Sequence, residues 1–177
     1  MIIITGGFLS NSCAEGRGCL RGNATIVIPA ACRAALDDLI ELAKGKTPSY
    51  TETPLGDRPV VQDRIARTRA LIEAGQHYVY GAAAEAWECV QSGRRIEMAQ
   101  GIPLALAGSF AVEASSNAVD LVHASAGTTA IRNEYRFQQY FRDVHTASQH
   151  AFASISRFES IGKLMLGRQS DWAFYYL

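Results

Sequence analysis

A stretch of about 35 residues, from Asp57 to Ser92, has a pattern that predicts one long helix about 50 Å in length. Its small and apolar residues alternate spacings of four and three, which is typical of a helix packed in a bundle. They are Val61, Ile65, Thr68, Ile72, Gly75, Val79, Ala82 and Ala86. Asp57 is expected to cap this helix, Pro59 fits its first turn, and Gly93 follows its end. Gly75 and the alanines predict that a neighbouring helix approaches this one closely.

Four more helices are predicted around this one. Pro29 suits the first position of a helix, and Gly45 suits the position after its end. Pro103 is expected either to kink the third helix or to mark its true start. The predicted ranges are Pro29–Lys44, Ile96–Ser125, Glu134–Ile155 and Phe158–Leu166, and a bend near His150 is an alternative for the third of these. Long helices with one apolar seam each indicate an all-α protein, an antiparallel up-and-down helical bundle that can pair into oligomers.

The prolines divide the chain. Four of the five fall between Pro29 and Pro59, and only Pro103 follows. Residues 1–28 are rich in Gly, Ser, Asn and Cys and are predicted to be irregular, with a short strand at Ala24–Ile28. Residues 29–168 are expected to form the bundle. Residues 169–177 are expected to form a tail containing four aromatic side chains.

Composition and charge remove several classes of function. Lys+Arg and Asp+Glu are both 17, and this balance argues against a nucleic-acid binder, which needs a basic excess. No apolar run approaches the ~20 residues of a membrane span, and the N-terminus lacks the basic region of a signal peptide, so a cytoplasmic protein is expected. The cysteines form no CxxC pair and the histidines lack metal spacing, so we expect reduced thiols and no metal site.

The residues with most chemical potential follow the third predicted helix. The segment Ser125–Thr128 reads SAGT, and Tyr140–His150 brings two histidines, an arginine, an aspartate and a glutamine into one short block. Ser125 and Gly127 are expected to present backbone N–H groups suited to a phosphate or a ring carbonyl. From the residues alone, His150 is more often structural than catalytic, and Arg142 with Asp143 is more often a structural pair.

These segments resemble the C-terminal helical domain of the acyl-CoA dehydrogenase fold, and most closely its flavin-dependent monooxygenase branch. In that branch an S-A-G-T helix end leads to R-D-x-H-x-x-x-Q-H, which Arg142–His150 matches. The segment PVVQDRIA at Pro59–Ala66 is similar to the start of the long helix of this fold. A downstream E-x-x-G-x-x-x-x-G element matches from Glu159 to Gly167. The resemblance covers about residues 30–168.

The resemblance implies a role for several residues. His150 matches the histidine that lies beside the flavin and substrate. That histidine would help to deprotonate a phenol or would donate a hydrogen bond to the oxygenated flavin. Gln149 matches a flavin-contact position, and Gln62 matches the glutamine at the start of the long helix. Arg142 and Asp143 match a pair that fixes the helix. The turn formed by Ser125, Ala126 and Gly127 matches one that touches the cofactor of a neighbouring subunit.

The function that this resemblance implies is hydroxylation of a small aromatic, phenolic substrate with reduced flavin and dioxygen. The cofactor is FMN or FAD, the family assembles as a homotetramer, and a flavin reductase component is a possible partner. Dehydrogenases of the fold often carry a catalytic glutamate in an E-G-T element, where this chain reads His150-Ala151-Phe152. Acyl-CoA dehydrogenation is therefore disfavoured but remains an alternative.

Members of the family carry further domains ahead of the bundle, whereas the resemblance here begins near residue 30. The chain is therefore expected to be a truncated C-terminal domain. A non-catalytic oligomerisation module or a gene remnant is a second alternative.

Overall fold

The computed structural model describes residues 21–150, 154, 156–169 and 171, with side chains from residue 28 onward. This part contains five α-helices, two short 3-10 helices and no strand. The helices are α1 (Arg21–Gly45), α2 (Pro59–Gln91), α3 (Met98–Ala126), α4 (Phe137–Ser148) and α5 (Ser156–Met165), and the 3-10 helices are Leu55–Asp57 and Gly127–Ile131. The predicted all-α class is confirmed. None of the helices described combines the length and hydropathy needed to cross a membrane.

Helix α1 begins earlier than the sequence pattern predicted. It starts at Arg21, so the predicted strand at Ala24–Ile28 is wrong, and Pro29 lies inside the helix rather than at its first position. Ile28 is 3% exposed and joins Cys32 and Leu36 in the hydrophobic core at helical spacing. Burial of this face therefore outweighs the local preference of proline for a helix start. Residues 1–20 and 172–177, including the aromatic side chains of the predicted tail, lie outside the described residues.

Helix α2 has the extent that its seam predicted. It begins at Pro59 and ends at Gln91, and Gly93 beyond it takes a left-handed φ of 76°. The expected capping role of Asp57 is wrong, because Asp57 belongs to the preceding 3-10 helix and Arg58 occupies the cap position. The predicted seam is buried at six of its eight positions: Val61, Thr68, Ile72, Gly75, Ala82 and Ala86.

Helix α3 lies at the centre of the bundle and contacts the other four helices. Its residues are small and apolar on several sides, as expected for a helix surrounded by neighbours. Glu97 and Gln100 form a capping box at its start, and Pro103 is its sixth residue, inside the helix. A Cβ atom built on Gly75 of α2 would lie 3.2 Å from the Cα of Ala111, which confirms the predicted close approach.

The first four helices run alternately up and down. Helix α3 runs parallel to α1, since Cys32 bonds to the Ser115 carbonyl and Lys46 reaches the Ala126 carbonyl at the other end. Helix α4 returns along α3, as shown by the contacts between His145 and Asp120 and between Phe141 and His123. The core lies between these helices and consists mainly of Leu36, Leu39, Ile72, Val112, Val119, Val122, Phe137 and Val144.

Candidate functional site

The SAGT turn closes the C-terminal end of α3. Gly127 adopts φ 60°, and its N–H donates to the carbonyl of His123. Ser125 lies in the last turn of the helix, where N–H groups bond to carbonyls four residues earlier, and its Oγ donates to the Leu121 carbonyl at 2.7 Å. The expectation that Ser125 and Gly127 present N–H groups to a ligand is therefore wrong. A helix C-terminus also carries partial negative charge, which disfavours an anion.

Part of this turn nevertheless faces outward. Ser125 and Ala126 are buried, whereas Gly127 and Thr128 are exposed. A Cβ atom added to Gly127 would meet no heavy atom within 4 Å, so the backbone here is open to an approaching ligand. The positive φ makes glycine the favoured residue at this position. Contact with a cofactor would therefore involve the outer backbone of the turn at Gly127 and Thr128.

Lys46, the residue after α1, lies at the same end of the bundle as the SAGT turn and contacts it. This lysine was not selected from the sequence. Its Nζ donates to the Ala126 carbonyl at 3.1 Å and also to the hydroxyl of Thr129. A cation at this place complements the negative end of α3. Burial lowers the pKa of Lys46, and the positive charges of Arg132 and Arg58 lower it further. The only feature of the sequence that could have indicated this contact is a lysine shortly after the end of a predicted helix.

Gln62 lies in the first turn of α2, at the same end of the bundle. Its side chain is exposed, and its Nε2 donates to the Gly56 carbonyl at 2.9 Å. The neighbouring Leu55 N–H donates to the Lys46 carbonyl at 2.8 Å. The start of α2 and the turn after α3 are thus both linked to Lys46.

Gln149 and His150 follow the end of α4. This helix ends at Ser148, so an uninterrupted helix from Glu134 to Ile155 is wrong, and the chain turns near His150, in agreement with the alternative of a bend there. Residues 151–153 and 155 lie outside the described residues. The N–H of Gln149 and that of His150 donate to carbonyls three residues earlier, which tightens the chain into a turn. Both side chains are exposed, and the Nε2 of Gln149 donates to the hydroxyl of Ser148 at 3.2 Å.

Within the chain, the end of α4 and the SAGT turn lie at different levels along α3. His145 is beside Asp120, and because α4 runs antiparallel to α3, the end of α4 at Ser148 falls at about residue 117. That level is about ten residues from the SAGT turn, or roughly 15 Å along the helix. The two groups of predicted cofactor contacts are therefore not brought together in one chain.

The remaining residues of the block are on the outside of α4. Arg142 and Asp143 are exposed, and their role in fixing the helix stays a prediction. Asp120 of α3, which the sequence reading did not select, lies with its Oδ1 2.8 Å from Nε2 of His145. Across the described part of the chain, no three His, Cys, Asp or Glu side chains are grouped as a metal site would require.

The helical bundle and its sequence match a known family. Residues 24–155 match the family described as acyl-CoA dehydrogenase, C-terminal domain. The chain belongs to this family. The match confirms the resemblance drawn from the SAGT and R-D-x-H-x-x-x-Q-H segments, and it covers α2, α3 and α4 in full and nearly all of α1.

Among curated proteins, this acyl-CoA dehydrogenase C-terminal domain is similar to the indole-3-acetate monooxygenase of Pseudomonas putida. The two are 29% identical over 138 residues, which are 77% of this chain and 35% of that protein. The indole-3-acetate monooxygenase of Acinetobacter baumannii is 26% identical over 143 residues, 81% of this chain and 37% of that protein. The chain thus spans about a third of the length of these relatives.

Among solved structures, the fold is similar to that of XiaF from a Streptomyces species, determined in complex with FADH2 and glycerol. The TM-score is 0.78 at 20% identity, over 84% of this chain and 38% of that one. A glutaryl-coenzyme A dehydrogenase in complex with glutaryl-CoA gives a TM-score of 0.69 at 23% identity, over 87% of this chain and 37% of that one. At these identities the structures establish the fold that the chain shares with them.

Proposed function

We propose that this chain supplies the helical-bundle domain of a flavin-dependent oxidoreductase, a monooxygenase that hydroxylates an aromatic, phenolic substrate with reduced flavin and dioxygen. The observation that carries the proposal is the similarity to two indole-3-acetate monooxygenases over more than three quarters of the chain. These relatives also suggest an indole carboxylic acid as the first substrate to test.

The residues at the end of α4 suit a flavin, either FMN or FAD. The exposed amide of Gln149 offers both a donor and an acceptor for the polar edge of the ring system. His150 supplies an imidazole, the side-chain type that most often acts as a general acid or base, as deprotonation of a phenol requires. Reduced flavin together with dioxygen supplies the oxygen atom for hydroxylation. The protein would bind and orient the reactants and exclude water.

The separation of roughly 15 Å along α3 between the SAGT turn and the end of α4 supports a site shared between subunits. In this arrangement Gln149 and His150 contact the flavin of their own subunit. The flavin of a neighbouring subunit is approached by Gly127, Thr128 and Gln62. Exposed apolar side chains support association: Tyr78, Tyr80, Trp87 and Met98 on α2 and α3. We infer a homo-oligomer, a tetramer by family resemblance, and a separate reductase that delivers reduced flavin.

The test is single-turnover hydroxylation by the full chain. Protein at stoichiometric ratio is mixed anaerobically with reduced FMN or FAD and indole-3-acetate or a simple phenol, then exposed to ¹⁸O₂. The proposal predicts one ¹⁸O atom in the aromatic product by mass spectrometry. His150→Asn is expected to lower the rate of labelled-product formation by about 10²-fold, the usual contribution of a general acid–base group. His77→Gln, at an exposed histidine on α2, is the matched control and should retain the wild-type rate.

The same experiment also tests the two alternative functions, a non-catalytic assembly module and an acyl-CoA dehydrogenase. Absence of both flavin retention and labelled product would contradict the proposal and favour a non-catalytic assembly module. Oxidation of an acyl-CoA without consumption of dioxygen would instead support dehydrogenase chemistry.

A further inference from the structure

One polar contact joins α3 to the last turns of α4. Nε2 of His145 lies 2.8 Å from Oδ1 of Asp120, and the two side chains are 35% and 50% exposed. The ring of Phe141 lies beside His145 at a centroid distance of 4.4 Å and beside His123 at 4.7 Å. The imidazole of His145 is thus held between an aromatic ring and a carboxylate of the adjacent helix.

Hydrogen bonds continue from His145 to the residues proposed to contact flavin. The His145 carbonyl accepts from the Ser148 hydroxyl at 2.8 Å, and the same hydroxyl accepts from Nε2 of Gln149 at 3.2 Å. The His150 N–H donates to the Ala147 carbonyl at 3.1 Å. The orientation of the Gln149 amide and the backbone position of His150 therefore depend on where this last turn of α4 lies.

Packing alone holds this turn weakly. Val144 is the last fully buried residue of α4, and beyond it, among the residues that the structure describes, only the partly buried Ala147 packs against the hydrophobic core. A helix of 12 residues frays readily at an end without buried anchors. The contact between His145 and Asp120 comes directly after Val144 in α4. A bond to α3 at this point restricts the movement of the last turn, and with it the positions of Gln149 and His150.

We propose that Asp120 and His145 are positioning residues that fix the end of α4 against α3 and so orient Gln149 and His150 toward the flavin. The orienting role rests on the proposed function, whereas the tethering of α4 does not. A surface ion pair of purely structural effect would change stability slightly and leave flavin binding unaltered. A positioning pair would change flavin binding with little effect on overall stability.

The test compares Asp120→Ala, Asp120→Asn and a control, Asp63→Ala. Asp63, which is about as exposed as Asp120, pairs with Arg67 at 2.8 Å on α2. Three quantities are measured in the full chain: hydrogen exchange of the amides at 145–150, the thermal midpoint, and the anaerobic affinity for reduced FMN and reduced FAD. Asp120→Ala should speed exchange about two- to fivefold, the range for loss of an exposed pair, and weaken flavin affinity by a similar factor.

Asp120→Asn should retain most of both properties, because its amide oxygen still accepts a hydrogen bond from His145. Asp63→Ala should leave the exchange rates at 145–150 and the flavin affinity unchanged, and its thermal midpoint should equal that of Asp120→Ala. Unchanged exchange in Asp120→Ala would overturn the inference whatever happens to flavin binding. Faster exchange with unaltered affinity would overturn the orienting role.

A wild-type chain that binds neither flavin would overturn the proposed function and with it the orienting role. In that case faster exchange in Asp120→Ala would still support the tethering of α4, and unchanged exchange would overturn the tether as well.

Discussion

Replacing Gly75 by alanine tests the close contact between α2 and α3, around which the bundle is built. Alanine is favoured over glycine inside a helix by about 1 kcal/mol, so an unobstructed replacement should stabilise the protein. At Gly75 the new Cβ would lie 3.2 Å from the Cα of Ala111 and 3.5 Å from its Cβ. Because the nearest atom is backbone, relief requires the two helices to separate, and such overpacking costs about 1–3 kcal/mol. The net change for Gly75→Ala is therefore about 0–2 kcal/mol of destabilisation.

Gly81→Ala is the matched control in the same helix. A Cβ at Gly81 would meet no heavy atom within 4 Å, so this variant should gain about 0.5–1 kcal/mol. Urea unfolding followed by circular dichroism at 222 nm gives both free energies of unfolding, with the m-value as a check that the transition is unchanged. Equal stabilisation of the two variants would refute the close approach of α2 to Ala111.

Three further predictions concern buried polar groups. Thr68→Val should raise the free energy of unfolding by about 1–2 kcal/mol in urea, because the Thr68 hydroxyl is buried without a hydrogen-bond partner among the described residues; a loss of stability would contradict this. Tyr140→Phe should cost about 1–2 kcal/mol at pH 7, because it removes the 3.0 Å bond from Tyr140 to Asp38. Burial and this bond raise the pKa of Tyr140, so wild-type stability should fall above pH ~10 while the variant's should fall less; parallel pH profiles would contradict the assignment. Burial raises the pKa of Cys32 to about 12, so its alkylation at pH 8, followed by peptide mass spectrometry, should be about a thousandfold slower in the folded chain than in urea; similar rates would refute its burial.

The sequence predicted α2 most accurately because three signals agree there. A seam over eight positions, a proline at the first turn and Gly93 after the end all indicate the same helix, and the structure begins and ends it within two residues of the expected positions. The start of α1 could not be predicted in this way. Pro29 favours a helix start locally, but burial of Ile28 at 3% exposure requires the helix to continue upstream of it. Tertiary packing decided the boundary.

The candidate site was predictable in its residues and not in its geometry. The SAGT and R-D-x-H-x-x-x-Q-H segments indicated the family from sequence alone. The end of α4 at Ser148 carries neither glycine nor proline, so the sequence offered a bend near His150 only as an alternative and did not fix where the helix ends. Asp120 and His145 lie 25 residues apart on different helices, and their contact depends on the register between α3 and α4. That register follows from the packed core and cannot be inferred from either helix separately.

The most direct test of the proposed function is equilibrium binding of reduced FAD and reduced FMN under anaerobic conditions. Wild-type protein and Gln149→Ala are titrated in parallel, with Gln138→Ala as a control for an exposed glutamine at the opposite end of α4. We predict saturable binding of one flavin per chain, weakened about tenfold in Gln149→Ala by loss of hydrogen bonds to the ring and unchanged in Gln138→Ala. No saturable binding, or equal affinities in all three proteins, would contradict a flavin site at the end of α4.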